Sequence, residues 1–335
     1  MGLALKAEAP GRVSVAAFEP PTPGTGEVRV ALERCGICGS DLHWYLGRMP
    51  LPGVCPGHEL SGKVDAVGND VAGFARGDRV TIEPIRRCGQ CARCRAGDYH
   101  LCKSAELFSV TLPGGMATHM VVPAYCLYRL PANVDFELGA LSEPLAVAVH
   151  ALRLGGVTKD TPVLVLGAGT IGLMSVAAAR HLGAGPIGVT ARYPQQRAAA
   201  ERVGADEVLA PERPRMSRRP RLVIETVGGV ATTVTDAVQA VDARGTVVIT
   251  GLFEEAPRYD FLTAMVKEVR LVASMVYNRG GPESDFETAL AILAARGDAL
   301  RPLVTHTFPL RDAQHAFETA ADKKTGALKV MLAPA

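Results

Sequence analysis

Apolar and polar positions recur with two different periods along this chain, and the period changes near Leu152. Upstream, residues 28–32, 62–67 and 79–83 are short β-branched runs bounded by Gly, Pro and Asp, which predicts strands. Downstream, Val163–Leu166 is an unbroken apolar run. A glycine-rich turn follows, and residues 171–182 then carry apolar side chains at helical spacing. The alternation continues, with strands predicted at 186–190, 207–209, 222–226 and 246–250 and helices at 195–203 and 231–241. Strands alternating with helices predict a parallel sheet covered on both faces, an α/β arrangement. The last part of the chain is mixed again. Helices are predicted at 284–295 and 311–321 and strands at 305–308 and 327–332, and no internal repeat is present.

Composition adds bounds to this picture. The chain has 335 residues, 48% hydrophobic and 21% charged, the balance of an ordinary globular protein of about two domains. A formal net charge of +2 gives no general pull toward nucleic acid or anionic lipid. No segment reaches the roughly 18 uncharged apolar residues of a membrane span. The first ten residues carry Lys6 and Glu8 and no apolar stretch of secretory type, so the expected location is the cytoplasm. Residues 211–221 are dense in Arg and Pro and read as a solvated loop between two units of the sheet.

The cysteines change the picture most. Cys88, Cys91, Cys94 and Cys102 follow one another at metal-ligand spacing. Four thiolates satisfy zinc completely, so such a site would staple a lobe and leave no open position for chemistry. A second group lies upstream: Cys38 in Cys38-Gly-Ser40-Asp41-Leu-His43, and His58-Glu59 after Gly57. Cys38, His58 and a carboxylate would make a mixed sulfur, nitrogen and oxygen set of three, which leaves a fourth zinc position open. Glu59 and Glu143 compete for the carboxylate place. Further on, Gly167-Ala-Gly169-Thr170-Ile171-Gly172 sits between a predicted strand and a predicted helix. That context is what gives the G-x-G-x-x-G pattern its meaning as a dinucleotide turn. The helix N-terminus after it favours pyrophosphate.

With CGSDLH at 38–43, GHE at 57–59, the four-cysteine spacing, EPLAVAVH at 143–150 and the glycine-rich turn, the chain resembles the zinc-dependent medium-chain dehydrogenase/reductase (alcohol dehydrogenase) superfamily. Its pattern is most similar to the sorbitol, threonine and related polyol dehydrogenase branch, and the resemblance covers essentially the whole chain. It implies a GroES-like β-rich catalytic domain at 1–150 and 277–335, with a structural zinc lobe at about 86–104, and a doubly wound Rossmann coenzyme domain at 151–276. It also implies two zinc ions per chain: a catalytic ion on Cys38 and His58 with Glu59 or Glu143, and a structural ion on Cys88, Cys91, Cys94 and Cys102. By the same resemblance Cys35 is packing, Ser40 and His43 form a proton relay, and Glu143 ligates zinc or holds its water. The assembly is expected to be a homodimer or homotetramer.

Two positions bear on coenzyme and substrate. The end of the second Rossmann strand usually carries an acid for the ribose hydroxyls of NAD. Here Ala191 takes that place and Arg192 follows. Alanine removes repulsion of a 2′-phosphate and arginine can clamp it, so NADP(H) is expected over NAD(H), with Arg192 the main contact and Arg197 a weaker one. Val276-Tyr277 stands where many polyol dehydrogenases have Arg-Tyr. That departure leaves a less polar secondary alcohol or ketone open as the small-molecule substrate. Trp44, Tyr45, Leu46, Met49 and Phe108 are candidate walls. Two other readings compete with an alcohol dehydrogenase: a zinc-free quinone or enoyl reductase on the same fold, and a non-catalytic protein that binds zinc and nucleotide.

Overall fold

A computed structural model describes residues 1–334 of the chain. They form two compact units. One comprises Met1–Glu143, Asn278–Gly297 and residues 304–334, and the other Pro144–Tyr277 with Asp298–Leu303. The first division falls inside one helix, Ser142–Leu154.

The first unit is built on a seven-stranded sheet. Its path runs Val304–Pro309, Lys329–Ala333, Glu27–Gly36, Glu59–Val67, Arg79–Ile82 and Leu127–Arg129, and His119–Pro123 also pairs with Glu27–Gly36. The long strand Glu27–Gly36 alternates buried and half-exposed positions, so Val28, Val30 and Leu32 point into one core. Each such side chain contributes about 2 kcal/mol on burial. Helix Ala313–Ala321 closes that core with Phe317, which packs against Trp44 and Tyr45 at ring distances of 5.2 and 5.0 Å. An N-terminal hairpin, Gly2–Ala9 with Arg12–Phe18, is an element the hydrophobic pattern did not signal. Its positions are mostly half-buried, so the period-2 contrast is weak.

The second unit carries a six-stranded, all-parallel sheet. Its spatial order is Glu207–Leu209, Ile187–Thr190, Val163–Leu166, Leu222–Glu225, Thr246–Ile249, Arg270–Ala273. Numbered along the chain that order is 3-2-1-4-5-6, the doubly wound arrangement. All four residues of Val163–Leu166 are buried because helices cover both faces of the central strands. Five of the six strands match the predicted positions within a residue. The sixth, Arg270–Ala273, was not predicted. It is an edge strand with half-exposed or exposed residues, and so lacks the apolar run that marks its neighbours.

Among the described residues, no helix is long and apolar enough to cross a membrane.

Candidate active site

The first cluster is assembled from a helix start and a strand start. Cys38 precedes helix Gly39–Tyr45, and its amide donates to the Asp41 carboxylate at 2.9 Å, which fixes the entry to the helix. Asp41 is buried, and burial pushes its carboxyl up despite the charge of His58 and the Cys38 amide. The Trp44 indole also donates to Asp41, at 3.4 Å. His58 and Glu59 lie at the head of strand Glu59–Val67, which pairs Glu59 with Gly36 on the neighbouring strand. A Cβ at Gly36 would stand 1.9 Å from the Glu59 carboxylate, so only glycine leaves room for this acid. Ligand atoms of Cys38, His58 and Glu59 all lie within 4.8 Å of one another.

This donor set suits a zinc ion: one sulfur, one imidazole nitrogen and one carboxylate oxygen, with a fourth position open. Electrostatics agree. Burial alone would lower the imidazolium pKa of His58, but negative charge at Cys38, Glu143 and Asp41 outweighs it and holds the pKa well above the usual range. The pocket therefore favours a cation. Glu143 is buried at the first turn of Ser142–Leu154 and faces His58 electrostatically, while Glu59 is the acid gathered with Cys38 and His58. Ser40 and His43 lie three residues apart on helix Gly39–Tyr45, hence on one face, with Ser40 exposed and His43 half-buried.

Two residues of this site carry no motif. Lys329, from the last strand, is 2% exposed and its Nζ donates to both Glu59 oxygens at 2.7 and 2.6 Å and to the Ile37 carbonyl at 3.0 Å. Burial would lower its pKa, but Glu59 and Cys38 outweigh that and keep it charged. A lysine inside the apolar final run was the available signal in the sequence. Ser109 meets the Nδ1 of His58 at 3.0 Å, and nothing in its sequence context marked it. Some expected walls are core instead. Trp44 and Tyr45 pack on Phe317, and Phe108 is also buried, whereas Leu46 and Met49 are exposed. Cys35 is fully buried and burial pushes its thiol far up, which suits packing and not ligation.

The second cluster is Cys88, Cys91, Cys94 and Cys102, whose sulfurs also lie within 4.8 Å of one another. Cys88 Sγ is 3.8 Å from Cys94 Sγ and 3.5 Å from Cys102 Sγ. A tetrahedron with Zn–S bonds of about 2.3 Å has edges of about 3.8 Å, so the sulfurs are spaced for one ion. Amides of Gln90 and Cys91 favour the Cys88 thiolate and bring its pKa down to about 6. The lobe is anchored by Tyr99, whose buried ring lies 4.1 Å under the Arg87 guanidinium. Three of the nearby arginines are engaged internally. Arg86 pairs with Glu106 at 2.7 Å, Arg87 with Glu83 at 3.6 Å and Arg93 with Asp98 at 3.7 Å.

In the second unit, the glycine-rich turn opens helix Thr170–His181, with Gly169 as its N-cap. A Cβ at Gly172 would meet the Gly167 carbonyl at 1.8 Å, so the helix can approach the strand only with glycine there. The Gly167 amide donates to Thr190 Oγ1 at 2.8 Å, and Thr226 Oγ1 donates to the Leu166 carbonyl at 2.8 Å. These bonds tie the turn to the two adjacent strands. A cavity of about 710 Å³ lies over the turn, lined by Gly167, Gly169, Thr190, Arg192, Gln196 and Thr226 among others. Thr170, Ile171 and Gly172 are in the helix start and not in that lining. Ala191 is buried and its amide donates to the Leu209 carbonyl at 3.0 Å. Arg192 is exposed at the rim, with its amide held by Gln196 Oε1 at 3.2 Å. Arg197 instead donates to the Val208 carbonyl at 3.4 Å and is absent from the lining.

Comparison with known proteins agrees with this geometry. Residues 24–132 match the Alcohol dehydrogenase GroES-like domain, and residues 170–295 match Zinc-binding dehydrogenase. Sorbitol dehydrogenase of Macaca fascicularis is 38% identical, over 98% of this chain and 95% of that protein. Galactitol-1-phosphate dehydrogenase from Escherichia coli superposes with a TM-score of 0.90 at 29% identity, over 100% of both chains. A zinc-binding dehydrogenase from Sinorhizobium meliloti 1021, solved bound to NADP, superposes with a TM-score of 0.87 at 30% identity, over 100% of this chain and 99% of that one. The chain therefore belongs to the zinc-dependent medium-chain dehydrogenase/reductase superfamily, in its polyol dehydrogenase branch, and is an oxidoreductase of that type with zinc and a nicotinamide dinucleotide as cofactors.

Proposed function

We propose that the protein interconverts a secondary alcohol or polyol and its ketone, with NADP(H) preferred over NAD(H). The observation that carries the reading is the convergence of Cys38, His58 and Glu59 within 4.8 Å, a three-donor set that leaves one position of a tetrahedral zinc open. Zinc held there would act as a Lewis acid that lowers the pKa of an alcohol oxygen. The glycine-rich turn Gly167–Gly172 would hold a nicotinamide dinucleotide, which would supply the hydride chemistry. The chain's own residues bind, orient and move the proton. Ser40 Oγ takes the proton of the substrate hydroxyl, and His43, on the same helix face, passes it toward solvent. Glu143 adds the negative charge that makes the pocket attractive to a cation. Lys329 holds Glu59 by both oxygens and orients it.

The NADP(H) preference is supported by Arg192 at the cavity rim and by the absence of an acid at Ala191. The relatives' names, which include sorbitol and galactitol-1-phosphate dehydrogenases, support a polyol or similar secondary alcohol. Eight free cysteines, five of them in the two clusters, suit the reducing cytoplasm. Assembly as a homodimer or homotetramer is part of the same proposal and is measured by light scattering. The deciding experiment assays a panel of alcohols and ketones with both coenzymes. The expected outcome is turnover with NADP(H) preferred. Arg192→Ala should then raise KM for NADP about 10–100-fold, as loss of a charged hydrogen bond does, and leave KM for NAD in place. A wild-type preference for NAD would overturn the assignment of Arg192.

A further inference from the structure

Ser109 stands out for its backbone. Its φ is +79°, in the left-handed region, where a residue with a Cβ is strained by about 1–2 kcal/mol and glycine is not. The residue is nevertheless a serine, 8% exposed. Its surroundings over-determine this conformation. The Ser109 amide donates to the Leu112 carbonyl at 2.7 Å, and the amides of Val110, Thr111 and Leu112 all converge on the Leu107 carbonyl at 2.9–3.1 Å. The strained turn places one group, the Ser109 hydroxyl, at 3.0 Å from His58 Nδ1. Strain held in place by so many bonds is a signature of function when it aims a side chain at a site.

We propose that Ser109 is the positioning residue of the open metal site: its hydroxyl accepts the Nδ1–H of His58, fixes that tautomer and ring angle, and thereby presents Nε2 to the ion. The proposal rests on the reading of Cys38, His58 and Glu59 as a zinc site. A histidine that ligates through one ring nitrogen is oriented by the hydrogen bond on the other. Asp41, whose charge also faces His58, is already committed to the Cys38 amide and the Trp44 indole. Of the groups that hydrogen-bond the ring, Cys38 is itself a proposed ligand, which leaves the Ser109 hydroxyl to set the ring's orientation.

The test uses the full-length protein, loaded with zinc and titrated against a chelator that resolves two classes of site. Ser109→Gly removes the hydroxyl and the strain together, so its melting temperature should hold or rise. The open-site class should nonetheless lose about 10–100-fold in zinc affinity. The four-thiolate class is the internal control and should not move. With cobalt in the open site, the visible bands should shift in this variant as the imidazole angle relaxes. Ser109→Ala keeps the Cβ and removes only the oxygen, and should lose the same affinity. Unchanged affinity in both variants overturns the proposal, as does a loss in Ser109→Gly that Ser109→Ala does not share. Cys38→Ser separates the levels. If it leaves the open-site zinc class intact, the site itself is misread; if it abolishes that class while the Ser109 variants do not weaken it, the Ser109 assignment alone fails.

Discussion

Two clusters within one folding unit answer the same ligand chemistry in opposite ways. Cys88, Cys91, Cys94 and Cys102 come from one short stretch of chain, with all but Cys102 at least partly exposed, and offer four sulfurs at tetrahedral spacing. Cys38, His58 and Glu59 lie at the start of a helix and the start of a strand, offer three different donor atoms, and draw a buried lysine and a strained serine from distant segments. The first arrangement closes on its ion and has no position left for a reactant. The second leaves a position open, and an open position must be held by something other than the ligands themselves. Local spacing is sufficient for a staple. A reactive site needs the surrounding fold.

The sharpest way to break this contrast is to remove one ligand from each cluster. Cys38→Ser should reduce turnover by about 10³-fold or more, since it removes the charge stabilisation of the reacting oxygen. Its melting temperature should stay near that of the wild type. Cys102→Ser should do the reverse. The lobe should loosen and the melting temperature fall by about 5 °C or more, at about 2–4 °C per kcal/mol lost. Turnover at low temperature should survive within about tenfold, an effect of under 1.4 kcal/mol on the barrier. Paired calorimetry and steady-state kinetics on the two variants decide the matter, and equal losses of turnover would erase the distinction.

A smaller effect is expected at Lys329. Lys329→Met leaves the Glu59 carboxylate buried without its cation, which costs about 3–5 kcal/mol when a buried pair is broken from one side. Zinc can take over as the partner of Glu59. Denaturant unfolding should therefore show the larger loss in the metal-free protein and a smaller one in the zinc-loaded protein. Equal losses in both would mean that Glu59 does not face the ion.

The smallest effect concerns the base of the lobe. The Arg279 amide donates to the Gly97 carbonyl at 3.0 Å, and the Arg279 side chain pairs with Glu287 at 2.8 Å. Burial would raise the Glu287 pKa, but the Ser284 amide and hydroxyl and the Arg279 guanidinium outweigh it and set it below the usual value of 4.5. A depressed carboxyl stabilises the fold fully above pH 4.5, and the contribution is lost as pH falls through its lower folded value. Both side chains are partly exposed, so the contribution is about 0.5 kcal/mol. Comparing wild type with Glu287→Gln from pH 6 to 3 should show a difference that shrinks on acidification. A difference that grows instead would reverse the sign assigned here.

The second unit was the more legible in sequence. Its strands Val163–Leu166, Ile187–Thr190 and Leu222–Glu225 are fully buried, and a strand buried on both faces must be apolar throughout. Its glycines mark their own roles, because Gly172 can be replaced by nothing with a Cβ. The first unit was harder. Hairpin Gly2–Ala9 with Arg12–Phe18 has half-buried positions with little contrast, and Trp44 and Tyr45 look like walls of a cleft until Phe317 is seen against them. Arg192 and Arg197 were equally visible as charges near the coenzyme turn, and only the fold put the first at the cavity rim and tied the second to a carbonyl.

By itself the sequence determined which atoms can hold zinc and phosphate: the thiols at two-residue gaps, Cys38, the His58-Glu59 pair and the turn from Gly167 to Gly172. These are properties of neighbouring residues, and covalent geometry carries them. Only the tertiary structure decided what those atoms face. Ser109 reaches His58 across 51 residues of chain and Lys329 reaches Glu59 across 270. No local spacing encodes such partners, because strand pairing and core packing bring them together. They matter because a buried charge or a ligating imidazole is stable only when its remaining polar atoms are satisfied.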